Sequence, residues 1–519
     1  MNLSQCVNRA VQLNPHGLAT VFGERRHTWT QFKNRIMRLA QGLRGLGVGN
    51  EDRVAVLAFN SDRYLEYFFG VPWAGGMIVP INIRLAAPEI IFTLNDSGTK
   101  LLVVDDTFAT MLPALKGKID TVTQIVFVGE GKTPEGCVNH EDLIQNNQPA
   151  EDAGRCDEDL AGLFYTGGTT GRSKGVMLSH NNLLSNALNM IPALQIDEKA
   201  IYLHAAPMFH LADCASTFAI TLTGGSHSFI PKFDPEDTLK AIVSDKVTNC
   251  LLVPTMLNML INLPGFKAHD LSGFRKVMYG ASPMPESVLL KAMELLPDCE
   301  FMQGYGMTEA SPLITFLEAK YHTMEGPYAG RLKSAGRAGV AVELKIADEN
   351  DNEVPRGQVG EVLSRGPHVM KGYWKMEELS KETLRGGWLH TGDMAYMDED
   401  GFIYIVDRSK DMIISGGENV FSTETENAIY HHPAVRECAV IGIPHDDWGE
   451  QVHAVVVLHE GKRLTEDALK KHCAQLIAGY KCPRSISFQN ESLPVSGAGK
   501  ILKTDLRKPY WAKHDKGVN

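Results

Sequence analysis

The chain has 519 residues, 44% of them apolar and 22% charged, the usage of a folded globular protein rather than a disordered or fibrous one. Its 51 Lys and Arg against 62 Asp and Glu leave a net charge of −11, which argues against the basic footprint of a nucleic-acid binder and against a polybasic attraction to anionic membrane. At about 100–200 residues per domain, this length predicts several domains, or one large domain with a smaller partner.

The first part of the chain alternates apolar β-branched runs with helical patterns. Arg53–Ala58 (RVAVLA) reads as a buried strand and Asp62–Phe69 as the helix after it. Lys100–Val104 and Gln124–Val128 are further strands. Such alternation predicts βαβ units and a parallel sheet. After Ser334 the texture changes. Val342–Ile346, Gly360–Ser364 and Phe402–Val406 read as shorter strands between Gly, Pro and Asp turns, and Asp398–Gly401 (DEDG) as a hairpin. This stretch predicts a small β-barrel. From Asp411 onward, strands Glu437–Ile443 and Val452–Leu458 alternate with helices Thr423–Tyr430 and Thr465–Leu476. That is the pattern of a small α+β domain. The charged segment from Asp407 to Asp411 is the expected boundary.

The nine cysteines, Cys6, Cys137, Cys156, Cys214, Cys250, Cys299, Cys438, Cys473 and Cys482, are odd in number and scattered, with no C-x-x-C. This favours free thiols in a reducing compartment over a disulfide framework or a zinc site. His431-His432 and the remaining His show no zinc spacing either, so no transition metal is expected. The start, MNLSQCVNRAVQLNP, lacks a signal-peptide core, and the end, HDKGVN, has neither S-K-L nor a prenylation box. The longest apolar run, Leu251–Leu263, is broken by Pro254, Thr255 and two Asn, short of the roughly 20 residues that span a bilayer. A cytoplasmic protein without a transmembrane segment is expected.

The most informative stretch is Leu163–Val176, LFYTGGTTGRSKGV. A strand runs into a loop whose glycines let backbone N–H groups converge. Thr166, Thr169 and Thr170 add hydroxyls and Lys174 a charge, together an anion cradle suited to a polyphosphate. The spacing is not that of a Walker A loop. A Gly-rich surface loop is the bland alternative, and the three Thr with a terminal Lys outweigh it. In Gln303–Glu309 (QGYGMTE), Gly304 and Gly306 let the backbone approach a flat ligand, and the Tyr305 ring can stack on a base. Thr308 can donate to a phosphate, and Glu309 is a hard oxygen ligand for Mg²⁺. A lone Glu is more often a solvated carboxylate, but its place after a Gly-Tyr-Gly turn reverses that preference. Asp393, after Thr391-Gly392, can accept ribose hydroxyls or merely form a turn. Arg408 can reach ribose or phosphate, or form a surface ion pair of little worth. His210, between apolar Phe209 and Leu211, is on base rates as readily a packed core residue as a functional one. Lys500, in a Ser-Gly-Ala-Gly-Lys loop, is alone most simply a solvated lysine.

These motifs, with Ala206–His210 (APMFH), Tyr279–Pro285 (YGASPMP), Trp388–Asp393 (WLHTGD), Gly401–Val420 and Pro494–Ile501, occur in the order found in the adenylate-forming superfamily. Over the whole chain the sequence resembles its acyl-CoA synthetases and acid–CoA ligases. Gly168 stands where the family has Ser, and Ser173 where it has Pro; Lys174 and the cradle remain, so ATP use is expected to survive. The resemblance implies an α/β fold: a large N-terminal domain (1–407) of parallel α/β subdomains plus a small β-barrel, a hinge (408–410) and a small mobile α+β C-terminal domain (411–519). It implies ATP or AMP bound by Thr166, Gly167, Gly168, Thr169, Thr170, Gly171, Lys174, Gly280, Ala281, Ser282, Gly304–Met307, Asp393 and Arg408. Lys500, Glu309, Thr308 and His210 would be catalytic, with Mg²⁺ on Glu309 and Lys410 as the hinge pivot. Gly416, Gly417 and Glu418 would face coenzyme A, and Thr217, Met256 and Tyr279 the acyl pocket. The expected reaction activates a carboxylic acid to an acyl-adenylate with release of pyrophosphate, then to its CoA thioester with release of AMP. A medium- or long-chain fatty acid is the first expectation, an aryl or hydroxycinnamic acid the alternative. A carrier-protein-directed adenylating module ranks lower, and a homodimer is one admissible assembly.

Overall fold

The structure is a computed structural model and describes residues 1–512 apart from 167–172, 283, 409–410, 416–417, 446–447 and 497–500. Two large sheets dominate. One has eight strands, in the order Gly372–Tyr373, Lys174–Ser179, Leu160–Thr166, Met77–Pro80, Arg53–Leu57, Thr99–Val104, Gln124–Phe127 and Val138–Asn139. From Leu160–Thr166 to Val138–Asn139 its neighbours run parallel. The other has nine: Arg337–Ala338, Leu313–Leu317, Glu300–Gly306, Lys276–Gly280, Asn249–Leu251, Ile201–His204, Ser226–Phe229, Leu18–Phe22 and Arg25–Thr28. It is parallel from Glu300–Gly306 through Leu18–Phe22 and antiparallel at both edges. The parallel α/β expectation holds.

Burial explains the near-continuous apolar strands. Val54 and Ile78 in one sheet, and Leu203 and Val277 in the other, are fully buried, as parallel strands covered on both faces must be. Helices Trp29–Gly45 and Asp62–Ala74 share the largest core with the nine-stranded sheet. Thr28 and Gln31 form a capping box on the first, and Ser61 caps the second. The second helix outruns its predicted end at Phe69. Gly70 and Pro72 look like breakers, yet every residue of Asp62–Ala74 is buried, and packing overrides propensity.

After Ser334 the expected barrel is an open sheet. Glu343–Ala347, Gly360–Arg365, Leu389–Met397 and Ile403–Arg408 pair antiparallel in that order. Its outer strands do not pair with each other among the described residues; four strands are too few to close a cylinder, and Gly336 bridges Ile403 instead. The hairpin at Asp398–Gly401 forms as predicted: Asp398 N–H donates to the Phe402 carbonyl, and Phe402 N–H donates to the Asp398 carboxylate. A five-stranded sheet follows, made of Glu418–Val420, Ile413–Ser415, Gly449–Leu458, Val435–His445 and Ser485–Gln489. It has its own core of Val440, Val456, Leu469 and Cys473. The backbone N–H of Ser422 donates to Asp407 at 2.5 Å, linking this unit to the strand before it. None of the nine cysteines is paired. No helix among the described residues is long and apolar enough to cross a membrane.

Candidate functional site

In open α/β sheets, ligands bind outside the carboxyl ends of parallel strands. Four adjacent strands of the nine-stranded sheet deliver predicted site residues there. Ile201–His204 leads to His210, Asn249–Leu251 to Met256, Lys276–Gly280 to Ala281 and Ser282, and Glu300–Gly306 to Met307, Thr308 and Glu309. Gly280 and Gly304 lie side by side in register. A Cβ on Gly280 would stand 2.2 Å from the Gly304 carbonyl oxygen, and one on Gly306 would stand 1.9 Å from that of Pro312. Only glycine fits either place. Ala281 adopts a left-handed φ of 64°, a strained conformation for a residue with a Cβ and one that clusters at ligand sites. Ser282 beside it is half-buried.

Tyr305 and Asp393, 88 positions apart, meet: the phenol donates to Asp393 Oδ2 at 2.8 Å. Asp393 is buried, and its backbone N–H donates to Thr391 Oγ1. It lies directly across the sheet ladder from Arg408. The tyrosine expected to stack on a base therefore also orients the carboxylate expected to hold ribose.

A second cluster joins the two large sheets. Thr166 pairs with Lys174 at the closing end of an antiparallel hairpin, and the residues of the expected phosphate loop fall between them in the sequence. Strand Gly372–Tyr373 adds to its far side. The Lys174 ammonium lies 5.2 Å from the centre of the Tyr373 ring, and the Tyr373 hydroxyl donates to Glu309 Oε1 at 2.8 Å. Met370 N–H donates to the Glu309 carbonyl at 2.9 Å. Glu309 starts in a short 3₁₀ turn, Thr308–Ala310, and is buried, not a solvated carboxylate. Burial, and then the Glu309 charge, push the Tyr373 phenol far above its usual value, so it keeps its proton and donates. Tyr373 was not singled out in the sequence; a Tyr in Gly-Tyr-Trp carries no signal of a partner 64 positions away.

The acyl candidates fall on helices and one strand. His210 caps helix Leu211–Thr223, its Nδ1 accepting from Ala212 N–H at 3.2 Å. Desolvation lowers its pKa to about 4, so the ring is neutral with its proton on Nε2. Thr217, on the same helix, is fully buried, and its hydroxyl has no hydrogen-bond partner among the described residues. Met256 is buried in helix Pro254–Ile261. Tyr279 is wholly buried, and its hydroxyl donates to His322 Nε2 at 2.9 Å. Its hydroxyl proton is thus already engaged.

Gly167, Gly168, Thr169, Thr170, Gly171, Lys410, Gly416, Gly417 and Lys500 lie outside the described residues; Glu418 begins the strand Glu418–Val420. No cluster of three or more His, Cys, Asp or Glu forms a metal cage among the described residues. One buried carboxylate beside a lysine-ended loop fits Mg²⁺ of the kind shared with nucleotide phosphates, which needs one or two protein carboxylates.

Glycines beside a left-handed turn at the carboxyl ends of parallel strands, with Lys174 and a buried Glu309 sharing Tyr373, are the features of a nucleotide-using α/β enzyme. Comparison with known proteins specifies it. The model of the AMP-binding enzyme family matches residues 7–374, and that of the AMP-binding enzyme C-terminal domain matches residues 424–500. A feruloyl-CoA synthase of Amycolatopsis sp is 38% identical over 97% of this chain and 98% of its own. A long-chain-fatty-acid–CoA ligase of Thermus thermophilus is 35% identical over 93% of this chain and 90% of its own. The crystal structure of an anthranilate CoA ligase in complex with anthranoyl-AMP superposes with a TM-score of 0.90 at 28% identity, covering 98% of this chain and 97% of that one. The chain belongs to the AMP-binding enzyme family, in the acid–CoA ligase branch of the adenylate-forming superfamily.

Proposed function

We propose that this enzyme makes the CoA thioester of an aryl acid of hydroxycinnamic type. The observation that carries the choice of acid is the Thr217 hydroxyl, buried and without a partner among the described residues. An orphaned buried hydroxyl costs about 1–3 kcal/mol. A ring substituent such as a phenol would satisfy it, and an alkyl tail would not. The 38% identity to a feruloyl-CoA synthase supports the same choice. A medium- or long-chain fatty acid, the first expectation from the sequence, draws support from the 35% identity to a long-chain-fatty-acid–CoA ligase.

In the first half-reaction the acid's carboxylate attacks the α-phosphorus of ATP and pyrophosphate leaves. Positioning and charge neutralisation carry such a step. Asp393, oriented by Tyr305, holds the ribose, and Arg408 reaches ribose or phosphate. Gly280, Ala281 and Ser282 pass along the adenine. Lys174, Thr166 and the loop residues after it hold the β- and γ-phosphates, and Thr308 donates to the α-phosphate. Glu309 would hold Mg²⁺ when the nucleotide binds, and the ion would supply further neutralisation of phosphate charge. Lys500 contributes the ammonium between carboxylate and α-phosphate. In the second half-reaction the CoA thiol attacks the acyl carbonyl and AMP leaves. Rotation of residues 411–519 about Lys410 exchanges the Lys500 loop for Gly416, Gly417 and Glu418 beside the pantetheine arm. Neutral His210 lines the path to the carbonyl. We place the enzyme in the cytoplasm.

The test is a panel of ferulate, cinnamate, octanoate and palmitate, read as pyrophosphate release followed by CoA consumption. Ferulate should have the highest kcat/KM, and Thr217→Val should lower it for ferulate more than for cinnamate. Preferential turnover of palmitate or octanoate would reverse the assignment of the acid.

A further inference from the structure

Lys174 and Glu309 approach the same phenol from different sides. The ammonium faces the ring at 5.2 Å from its centre, and the carboxylate takes the hydroxyl at 2.8 Å. The two charges meet different parts of that side chain, the ammonium its ring face and the carboxylate its hydroxyl. Tyr373 is well fixed for such a place. It is buried and lies in register with Val176. Its backbone N–H donates to Ser380 Oγ at 2.8 Å, and the next residue, Trp374, donates to the Gly175 carbonyl at 2.7 Å. An aromatic ring attracts a cation to its face, while the phenol offers a donor to an anion at its edge. One side chain thereby contacts both charges.

We propose that Tyr373 is a positioning residue that keeps Lys174 and Glu309 apart, so that the lysine stays directed to nucleotide phosphate and the carboxylate to the metal. Without the spacer, the two opposite charges in a partly desolvated site would pair with each other. Each would then be withdrawn from its ligand. This inference rests on the ligase reading above.

Two variants separate the parts. Tyr373→Phe keeps the ring between the charges and loses the donor. Tyr373→Leu loses both. Calorimetric titration with ATP, at a series of Mg²⁺ concentrations and in EDTA, gives a readout independent of turnover. Tyr373→Phe should raise the Mg²⁺ concentration at half-effect about tenfold, the worth of one hydrogen bond to a charged group, and leave ATP binding in EDTA unchanged. Tyr373→Leu should weaken ATP binding in EDTA as well, because Lys174 is then drawn away. Both should form thioester from synthetic acyl-adenylate and CoA at rates within about twofold of wild type, since that step needs neither group. Wild-type Mg²⁺ dependence in Tyr373→Phe, or equal losses in both half-reactions with a lowered melting temperature, would overturn the proposal. Wild-type protein that binds Mg·ATP without acid-dependent pyrophosphate exchange would sink the ligase reading instead, with the titrations still deciding the place of Tyr373.

Discussion

The Tyr305–Asp393 contact invites a double-mutant cycle. Asp393 is buried and accepts the phenol at 2.8 Å, so removing either partner alters both the carboxylate's aim and its solvation. A hydrogen bond to a charged group contributes about 1.5–3 kcal/mol, and a neutral one about 0.5–1.5. Asp393→Asn keeps an acceptor and loses the charge, while Tyr305→Phe keeps the ring and loses the donor. If the contact preorganises the nucleotide site, each change should weaken AMP binding, and the coupling should be about 1–2 kcal/mol, or roughly five- to thirtyfold in Kd. Binding is the right readout, because a chain of several domains need not unfold in one transition. Calorimetric titration of AMP into wild type, both single variants and the double variant measures the coupling. Additivity within about 0.5 kcal/mol would show that the contact does not shape the site and that Tyr305 acts through its ring alone.

Three further outcomes are expected. Lys500→Ala should cut acid-dependent pyrophosphate exchange by about a hundredfold or more, the scale of losing a preorganised charge at the reacting centre, while thioester formation from synthetic acyl-adenylate persists; equal loss in both assays would remove Lys500 from the first step. Lys410→Pro, by fixing φ near −65°, should preserve pyrophosphate exchange and depress thioester output; a variant that melts normally and makes thioester at the wild-type rate would move the pivot elsewhere. Burial lowers the His322 imidazole to about 4, whereas the unfolded chain takes up a proton near 6.5. The unfolded state therefore binds more protons between these values, and stability should fall as pH drops from about 6.5 to 4 and stay level above. Melting temperatures across that range should show a shallower slope for His322→Gln, and an unchanged slope would place the acid sensitivity in other groups.

The strands at Arg53–Leu57 and Thr99–Val104 were legible because β-branched residues in short runs have few other stable arrangements. The end of helix Asp62–Ala74 was not, since Pro72 and Gly70 signal a break that burial overrules. Local motifs announced Gly304–Glu309 and Lys174, whose chemistry lies in neighbouring residues. Tyr373 was silent, because its role depends on a strand pairing that brings it beside Lys174 from 199 positions away. Ala281 gave no hint of its left-handed φ, as alanine has no preference for one. The Tyr279 hydroxyl is bonded to His322, a partner that no local pattern names.

The two glycine contacts decide how the choice of acid can change. At Gly280 and Gly306 any side chain would strike the backbone of an adjoining segment, and backbone yields only by moving a whole strand. The strand side is thus frozen, and on the proposed site variation in substrate comes from helices Leu211–Thr223 and Pro254–Ile261, at positions such as Thr217 and Met256. A library confined to those helices should yield new acids with the adenylation chemistry intact. One that includes the glycines should return mostly enzymes that no longer hold a nucleotide.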